Sequence, residues 1–331
     1  MRSSSDPKIF FVGIFLSALF SLFPASAICQ SYPNKPITLY VGYVAGGATD
    51  VLARALAADF EKALGVPVVV ENKPGALTVV CTGLLATKKP DGYTLAMVTD
   101  GALTMAPHMA MKLDYDPLKD FTYLAAISRY IGTMVVHKDS PIKNIHEFIT
   151  YAKANPGLSY SSTGLYGRHH LATERFAQCK GLTFKHIPTK GAAEANTMQL
   201  GKHVDFSTGS GGQIVYVKQG LFRLLMLLNE GEKRNPLWPD TPILHDLGCP
   251  DVPASAVMMI GPKGVPPAIC KKLGDVVKKI TGEPSFQKVL ASFDMLYNYR
   301  DQAKLEKDIP AEYELSRELL KKMGVKKTAY Q

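Results

Sequence analysis

Apolar and polar positions along this chain follow two rhythms that take turns. Residues 37–44 (ITLYVGYV) form a nearly continuous apolar run rich in β-branched side chains, the pattern of a strand buried on both faces of a parallel sheet. Gly46-Gly47 ends it. Over 49–64 the apolar positions Val51, Leu52, Ala55, Leu56, Phe60, Ala63 and Leu64 recur at helical spacing, and Gly65 stops the helix. A strand is predicted over 66–71, a helix over 76–88, and a strand over 93–98 after the turn Pro90-Asp91-Gly92. Strands follow at 121–127 and 133–137. Asn144-Ile145-His146-Glu147 resembles a capping box and opens a helix that ends before Asn155-Pro156-Gly157. A strand at 158–162, a glycine-containing loop at 163–167 and a helix through Lys180 repeat the theme. So do a strand at 182–187, a helix over 191–200 and strands at 204–208, 221–228 and 256–260. The tail 266–323 reads as helical, with breaks at 282–284 and 298–300.

Such alternation predicts an α/β fold with mostly parallel sheets flanked by helices. The strand, glycine loop and helix device occurs near Gly46 and again near Gly164, which suggests two similar α/β domains facing a shared cleft. The length of 331 residues accommodates two domains of about 150 each. With 46% hydrophobic and 20% charged residues, both cores can be filled.

The first residues carry an address. Arg2 and Lys8 flank a short polar region, residues 9–23 are apolar apart from serines and small residues, and Ala25-Ser26-Ala27 supplies a cleavage site. This predicts a signal peptide over 1–27 and a mature protein outside the cytoplasm. The run is shorter than the roughly 20 residues that span a bilayer. Cys29 follows Ile28, where a lipoprotein site needs a small residue. The five cysteines show no C-x-x-C and no regular spacing, against a zinc module or disulfide scaffold, while leaving room for one bridge. A formal charge of +9 is compatible with anionic partners. No basic run is interleaved with aromatics, so nucleic acid is not expected.

The chemistry sits in the glycine loops. In Ala45-Gly46-Gly47-Ala48-Thr49-Asp50 the glycines let backbone approach a ligand, and the next helix offers free N–H groups and a partial positive charge. Together these make an anion site without a charged side chain. Thr49 is the predicted N-cap. Asp50 either faces the ligand or only caps the helix. The second loop, Ser161-Ser162-Thr163-Gly164-Leu165-Tyr166-Gly167-Arg168-His169-His170, repeats the logic. Arg168 either grips a carboxylate bidentately or stands exposed in the first turn. His169 and His170 point to different helix faces, so no metal is expected. Neither loop is G-x-G-x-x-G or a P-loop, no G-x-S-x-G elbow occurs, and no catalytic constellation or cofactor motif emerges.

Further strings point to a family. Tyr32-Pro33-Asn34-Lys35-Pro36, Gly46-Gly47-Ala48-Thr49-Asp50, Val69-Val70-Glu71-Asn72-Lys73-Pro74-Gly75-Ala76, Pro90-Asp91-Gly92-Tyr93, Tyr115-Asp116-Pro117, Pro239-Asp240-Thr241-Pro242 and Gly261-Pro262-Lys263-Gly264 resemble the tripartite tricarboxylate transporter receptors, or Bug proteins. The resemblance spans residues 32–324. It implies a type II periplasmic binding protein-like fold with two chain crossings, one domain at 28–127 plus 252–331 and the other at 128–251. It implies a solute-binding protein, not an enzyme, likewise a monomer without cofactor, that passes a small carboxylate to membrane transporter subunits. By match, ligand-binding positions are Tyr43, Gly46, Gly47, Thr49, Asp50, Thr99, Asp100, Ser162, Thr163, Gly164, Tyr166 and His169. Tyr43 and Tyr166 would cover the ligand body, and Arg168 or His169 would meet a second carboxylate. Gly209 stands where the family has an acidic residue, so the far end of the pocket is altered. Two rival readings share these residues: a sensor docking a signalling partner, and an exported enzyme using His169 or Asp50 as base.

Overall fold

The computed structural model describes residues 32–109, 112–189, 191–210, 212–228, 235, 238–250, 255–293 and 295–325. The signal-peptide stretch and Cys29 lie outside them, as does the domain boundary at 251/252.

The two rhythms fold as strand and helix. β1 (Ile37–Val41), α1 (Ala48–Leu64), β2 (Val68–Asn72), α2 (Val79–Ala86), β3 (Thr94–Thr99), the short α3 (Gly101–Thr104) and β4 (Phe121–Tyr130) build the first part. β5 (Thr133–His137), α4 (Ile145–Ala154), β6 (Leu158–Ser162), α5 (Arg168–Lys180), β7 (Phe184–Pro188), α6 (Ala192–Leu200), β8 (Phe206–Gly209), α7 (Gln213–Lys218) and β9 (Phe222–Leu227) build the second. β10 (Ala256–Pro262), α8 (Pro267–Gly282), α9 (Pro284–Ser292), β11 (Met295–Asp301) and α10 (Gln302–Lys322) complete the first. The capping box at α4 is present: the Glu147 N–H donates to Asn144 Oδ1 at 2.9 Å.

The strands form two sheets, ordered β11-β4-β10-β3-β1-β2 and β7-β6-β8-β5-β9. Their pairing is mixed, which corrects the expectation of mostly parallel sheets. β1 pairs in parallel with β2 and β3, and β6 with β7 and β8. β10 is antiparallel to β3 and β4, and β5 to β8 and β9. The cause is the crossing itself. β4 runs toward the edge where β3 ends, and only Ile131-Gly132 separate it from β5. A strand that enters a sheet from that edge must run away from it. β10, arriving from the second sheet, does the same. The first crossing falls at 131–132. There the crossing segments bond each other, Leu228 N to Gly132 O at 2.8 Å and Tyr130 N to Ser255 O at 2.9 Å. β11 is a strand where the sequence reads as a break. It is a half-exposed edge strand with a register shift between Tyr297 and Arg300, so it lacks the apolar run that marks the central strands.

Each sheet has its own core. Tyr40, Leu85, Val98, Phe121, Met258 and Ile260 pack with Leu305 and Ile309 of α10 in the first. Phe148, Tyr160, Phe176, Phe206 and Met226 pack in the second. A third cluster joins the two lobes, with Leu171 of α5 against Met105, Leu319 and Leu320. Cys179 at the end of α5 is bridged to Cys249, with Cα atoms 5.7 Å apart. Cys81 and Cys270 are buried free thiols, and burial pushes Cys81 up to about 12. Among the described residues no helix is long and apolar enough to cross a membrane.

Ahead of α2, Ala76, Leu77 and Thr78 stand in succession at φ 47°, 55° and 70°. Left-handed backbone costs an L-residue about 1–2 kcal/mol, and glycine avoids that penalty. Ala76 is exposed and loses no packing on truncation. Ala76→Gly therefore raises the unfolding free energy by about 0.5–1 kcal/mol, read from urea denaturation; an unchanged or lower midpoint would argue against a left-handed Ala76.

Candidate functional site

All strands but β5, β10 and β11 end at the junction between the sheets. Register places Thr133 opposite Gly209 and Leu227, Val257 opposite Thr99, and Ser162 opposite Pro188. Ligands of open α/β sheets bind outside the carboxyl ends of strands, and here two such edges abut.

The first loop leaves β1 through Gly42. A Cβ there would lie 2.5 Å from the Cβ of Thr78, so only glycine lets the chain pass. Gly46 turns at φ 83°, and the Gly47 N–H donates to Val44 O at 3.4 Å. Gly47, not Thr49, is the N-cap of α1, and no side chain closes the first turn. Thr49 lies one residue inside the helix, its buried hydroxyl 2.9 Å from the Tyr130 hydroxyl. The half-buried Tyr43 hydroxyl is 3.0 Å from Thr99 Oγ1.

Asp50 resolves toward the internal role. Its Oδ2 accepts from the Gly46 N–H (2.9 Å) and Arg54 Nε (3.1 Å), and its Oδ1 from Asn72 Nδ2 (2.8 Å). Asn72 Nδ2 also donates to Tyr43 O at 2.9 Å. Burial pulls the Asp50 carboxyl up, but the bonds from Arg54, Gly46 and Asn72 outweigh it and hold it below its usual value. Asp50 thus folds the loop from beneath. Sequence reading missed Asn72 and Arg54 as its partners; the i,i+4 spacing of Asp50 and Arg54 was the available signal.

The second loop has the same frame. Gly164 turns at φ 144°, Tyr166 stands at φ 57°, and the Gly167 N–H donates to Gly164 O at 3.2 Å. Gly167 caps α5, again without a side-chain cap. Thr163 Oγ1 lies 2.8 Å from His169 Nδ1, and burial lowers His169 to about 4, so it is neutral. Ser162 is buried, and its carbonyl accepts from Thr189 Oγ1 at 2.6 Å.

Arg168 is buried, not exposed in the first turn. Only 7% exposed, it donates through Nε to Asp100 Oδ2 at 3.0 Å and through Nη2 to Thr104 Oγ1 at 2.8 Å. Asp100 is fully buried, and its Oδ1 accepts from Ser255 Oγ (3.1 Å) and the Ala256 N–H (3.0 Å). One carboxylate therefore ties β3 to the second crossing and to α5 of the opposite lobe. Glu312 of α10 stands 4.0 Å from Arg168, and burial and the Asp100 charge push it above the usual carboxylate range. Gly209 ends β8 with its carbonyl accepting from Thr133 Oγ1 at 3.1 Å. A Cβ there would stand 3.2 Å from the side chain of Gln213, which fills that space. Among the described residues no cluster of three His, Cys, Asp or Glu could hold a metal ion.

This geometry gives two uncapped helix N-termini at abutting sheet edges, with neighbouring charges already paired. Residues 52–325 match the family described as tripartite tricarboxylate transporter family receptor. The chain belongs to that family. The receptor is 39% identical over 305 residues to a UPF0065 protein in the gbd 5' region of Cupriavidus necator, covering 92% of each chain. It is similar to the solved periplasmic binding protein BugD at TM-score 0.74 and 29% identity, over 90% of this chain and all of that one. An R. palustris protein solved with adipate aligns at TM-score 0.78 and 25% identity, over 90% of this chain and 100% of that one. The receptor is thus a solute-binding protein of the Bug type and not an enzyme.

Proposed function

We propose that the receptor works in the periplasm, captures a small carboxylate between its two glycine loops and delivers it to the membrane subunits of a tripartite transporter. The observation that carries this reading is the repeated loop: each lobe offers one glycine-capped helix start with no side chain on its first N–H groups. Gly46, Gly47 and Thr49 would face the anion from one side, and Thr163, Gly164 and His169 from the other. Tyr43, Thr99, Ser162 and Tyr166 would shape the walls, with Gly209 and Gln213 at the far end. Asp50, Asp100 and Arg168 would act behind them. Adipate in the R. palustris relative supports a carboxylate ligand. The Cys179–Cys249 bridge suits an oxidising compartment, in line with the export signal.

The test is calorimetric titration of the exported protein with mono-, di- and tricarboxylates, adipate included. At 100 times Kd a bound ligand adds about 2.7 kcal/mol of stability. Gly47 has ordinary φ, and a Cβ would meet only Val44 O at 3.4 Å, so Gly47→Val folds while shielding the helix N–H groups. We expect Gly47→Val to weaken the best carboxylate by about a hundredfold, the loss of two charge-assisted hydrogen bonds, with little change in melting temperature. A folded wild type that binds none of the panel would remove this reading.

A further inference from the structure

The two loops are copies of one template. Gly46 and Tyr166 both stand left-handed just before the capping glycine. The Gly46 N–H donates to Asp50 and the Tyr166 N–H to His170, each at 2.9 Å and each four residues ahead. His170 therefore does in the second loop what Asp50 does in the first, with different chemistry. An ionised carboxylate always accepts; an imidazole accepts at Nδ1 only while that nitrogen is bare. A left-handed tyrosine also needs external support where a glycine does not.

His170 does not stand alone. The His186 ring, on β7, stacks on it with centroids 3.9 Å apart and planes 21° from parallel. His186 Nε2 is 2.8 Å from Ser162 Oγ, which lies 3.2 Å from Gly164 O. Among the described residues His186 Nδ1 is buried without a partner. The arrangement that satisfies most atoms has Nε2–H donate to Ser162 and the Ser162 hydroxyl donate to Gly164 O, which leaves Nδ1 bare. Around the pair, Glu174 of α5 lies 4.0 Å from His170 Nε2 and accepts from the Tyr160 hydroxyl at 2.7 Å. Tyr160 of β6 stands 4.8 Å from His186, and Tyr166 of the loop 5.7 Å from His170, by ring centroids. Arg168 is directed to Asp100 instead. A proton on either ring would set a cation face to face with its neighbour, and one on His170 Nδ1 would break the Tyr166 bond.

We propose that His170 and His186 are positioning residues: as a stacked neutral pair they hold the second loop in the shape that turns the first N–H groups of α5 toward the sheet edges. The consequence for ligand affinity rests on the carboxylate-capture reading; the consequence for the loop does not. Burial, with the neighbouring His186, takes His170 to about 3, and burial takes His186 to about 4, from an ordinary value of 6.5. Between those values and 6.5 the unfolded chain binds protons that the folded chain does not. Stability is therefore full above about pH 6.5 and falls as the pH drops through 4 toward 3, with the buried His169 adding to the loss.

Two variants separate position from packing. His170→Phe keeps a stacking ring and loses the acceptor; His170→Asn places a carbonyl oxygen near the Nδ1 position and cannot titrate. Tyr166 amide exchange, the imidazole NMR titration, adipate affinity and melting temperature against pH are measured on each. His170→Phe is expected to speed Tyr166 exchange and weaken adipate, each by about tenfold or more, the scale of one lost buried hydrogen bond. His170→Asn should restore both and reduce the loss of melting temperature between pH 6.5 and 4 by the share of one imidazole, since His169 and His186 still titrate. Unchanged Tyr166 protection in His170→Phe, or imidazoles that titrate at their ordinary value with the loop intact, would overturn the assignment. Wild type that ignores adipate, together with Tyr166 protection lost only in His170→Phe, would support the assignment and count against adipate as a ligand.

Discussion

Replacing Arg168 with methionine lowers the unfolding free energy by about 3–5 kcal/mol, the penalty for stripping one partner from a buried ion pair. Asp100 has no exposed surface, and its other bonds come from the neutral Ser255 hydroxyl and Ala256 N–H. With Arg168 gone, its charge is left buried without its cationic partner. The double variant Asp100→Asn/Arg168→Met removes that charge, and asparagine still accepts from Ser255 and Ala256. It should be more stable than Arg168→Met alone, with a coupling of about 1–3 kcal/mol in urea denaturation. A loss below about 1 kcal/mol for the single variant would mean that the pair contributes no more than an exposed bridge. Arg168 also opens the helix of the second loop and bonds side chains of the other lobe, so the same variant should loosen the two lobes against each other.

Reduction of the Cys179–Cys249 bridge is expected to cost about 4 kcal/mol, the loop entropy of a cross-link spanning 70 residues. The bridge ties the end of α5 to the segment behind it, within the second lobe. Dithiothreitol and the pair Cys179→Ala/Cys249→Ala should shift the urea transition alike. Cys81 and Cys270 are already free thiols, so the variant pair should show no further shift on reduction. An unmoved transition with dithiothreitol, in protein whose thiol count does rise, would show that the bridge constrains little.

Much of this was legible in the sequence for a physical reason. Continuous apolar runs and helical spacing report burial directly, so β1, α1, β6 and α5 fall where the periodicity puts them, and the glycines mark both loops. What failed to show depends on who meets whom. Nothing near Arg168 announces that its partner is Asp100, 68 positions away. The reversal of β5 and β10 follows from the path between sheets, which periodicity does not encode. His186 sits in an edge strand with no motif, and its part emerges only when β7 lies beside β6. The second loop drew attention to His169, whereas the equivalence of Asp50 and His170 became visible only in their matching backbone bonds.

The position of β10 has a consequence for the order in which the molecule assembles. It fills the middle of the first sheet, between β3 and β4, yet it is made after the whole second sheet. As the chain emerges from its amino end, β5 to β9 can pair as one uninterrupted stretch. The first sheet must wait with β3 and β4 facing an empty slot, their backbone groups unpaired and their apolar faces open. The early half of the sequence is thus the last to become a finished lobe, and the growing chain is most exposed to wrong partners just before residue 262 arrives.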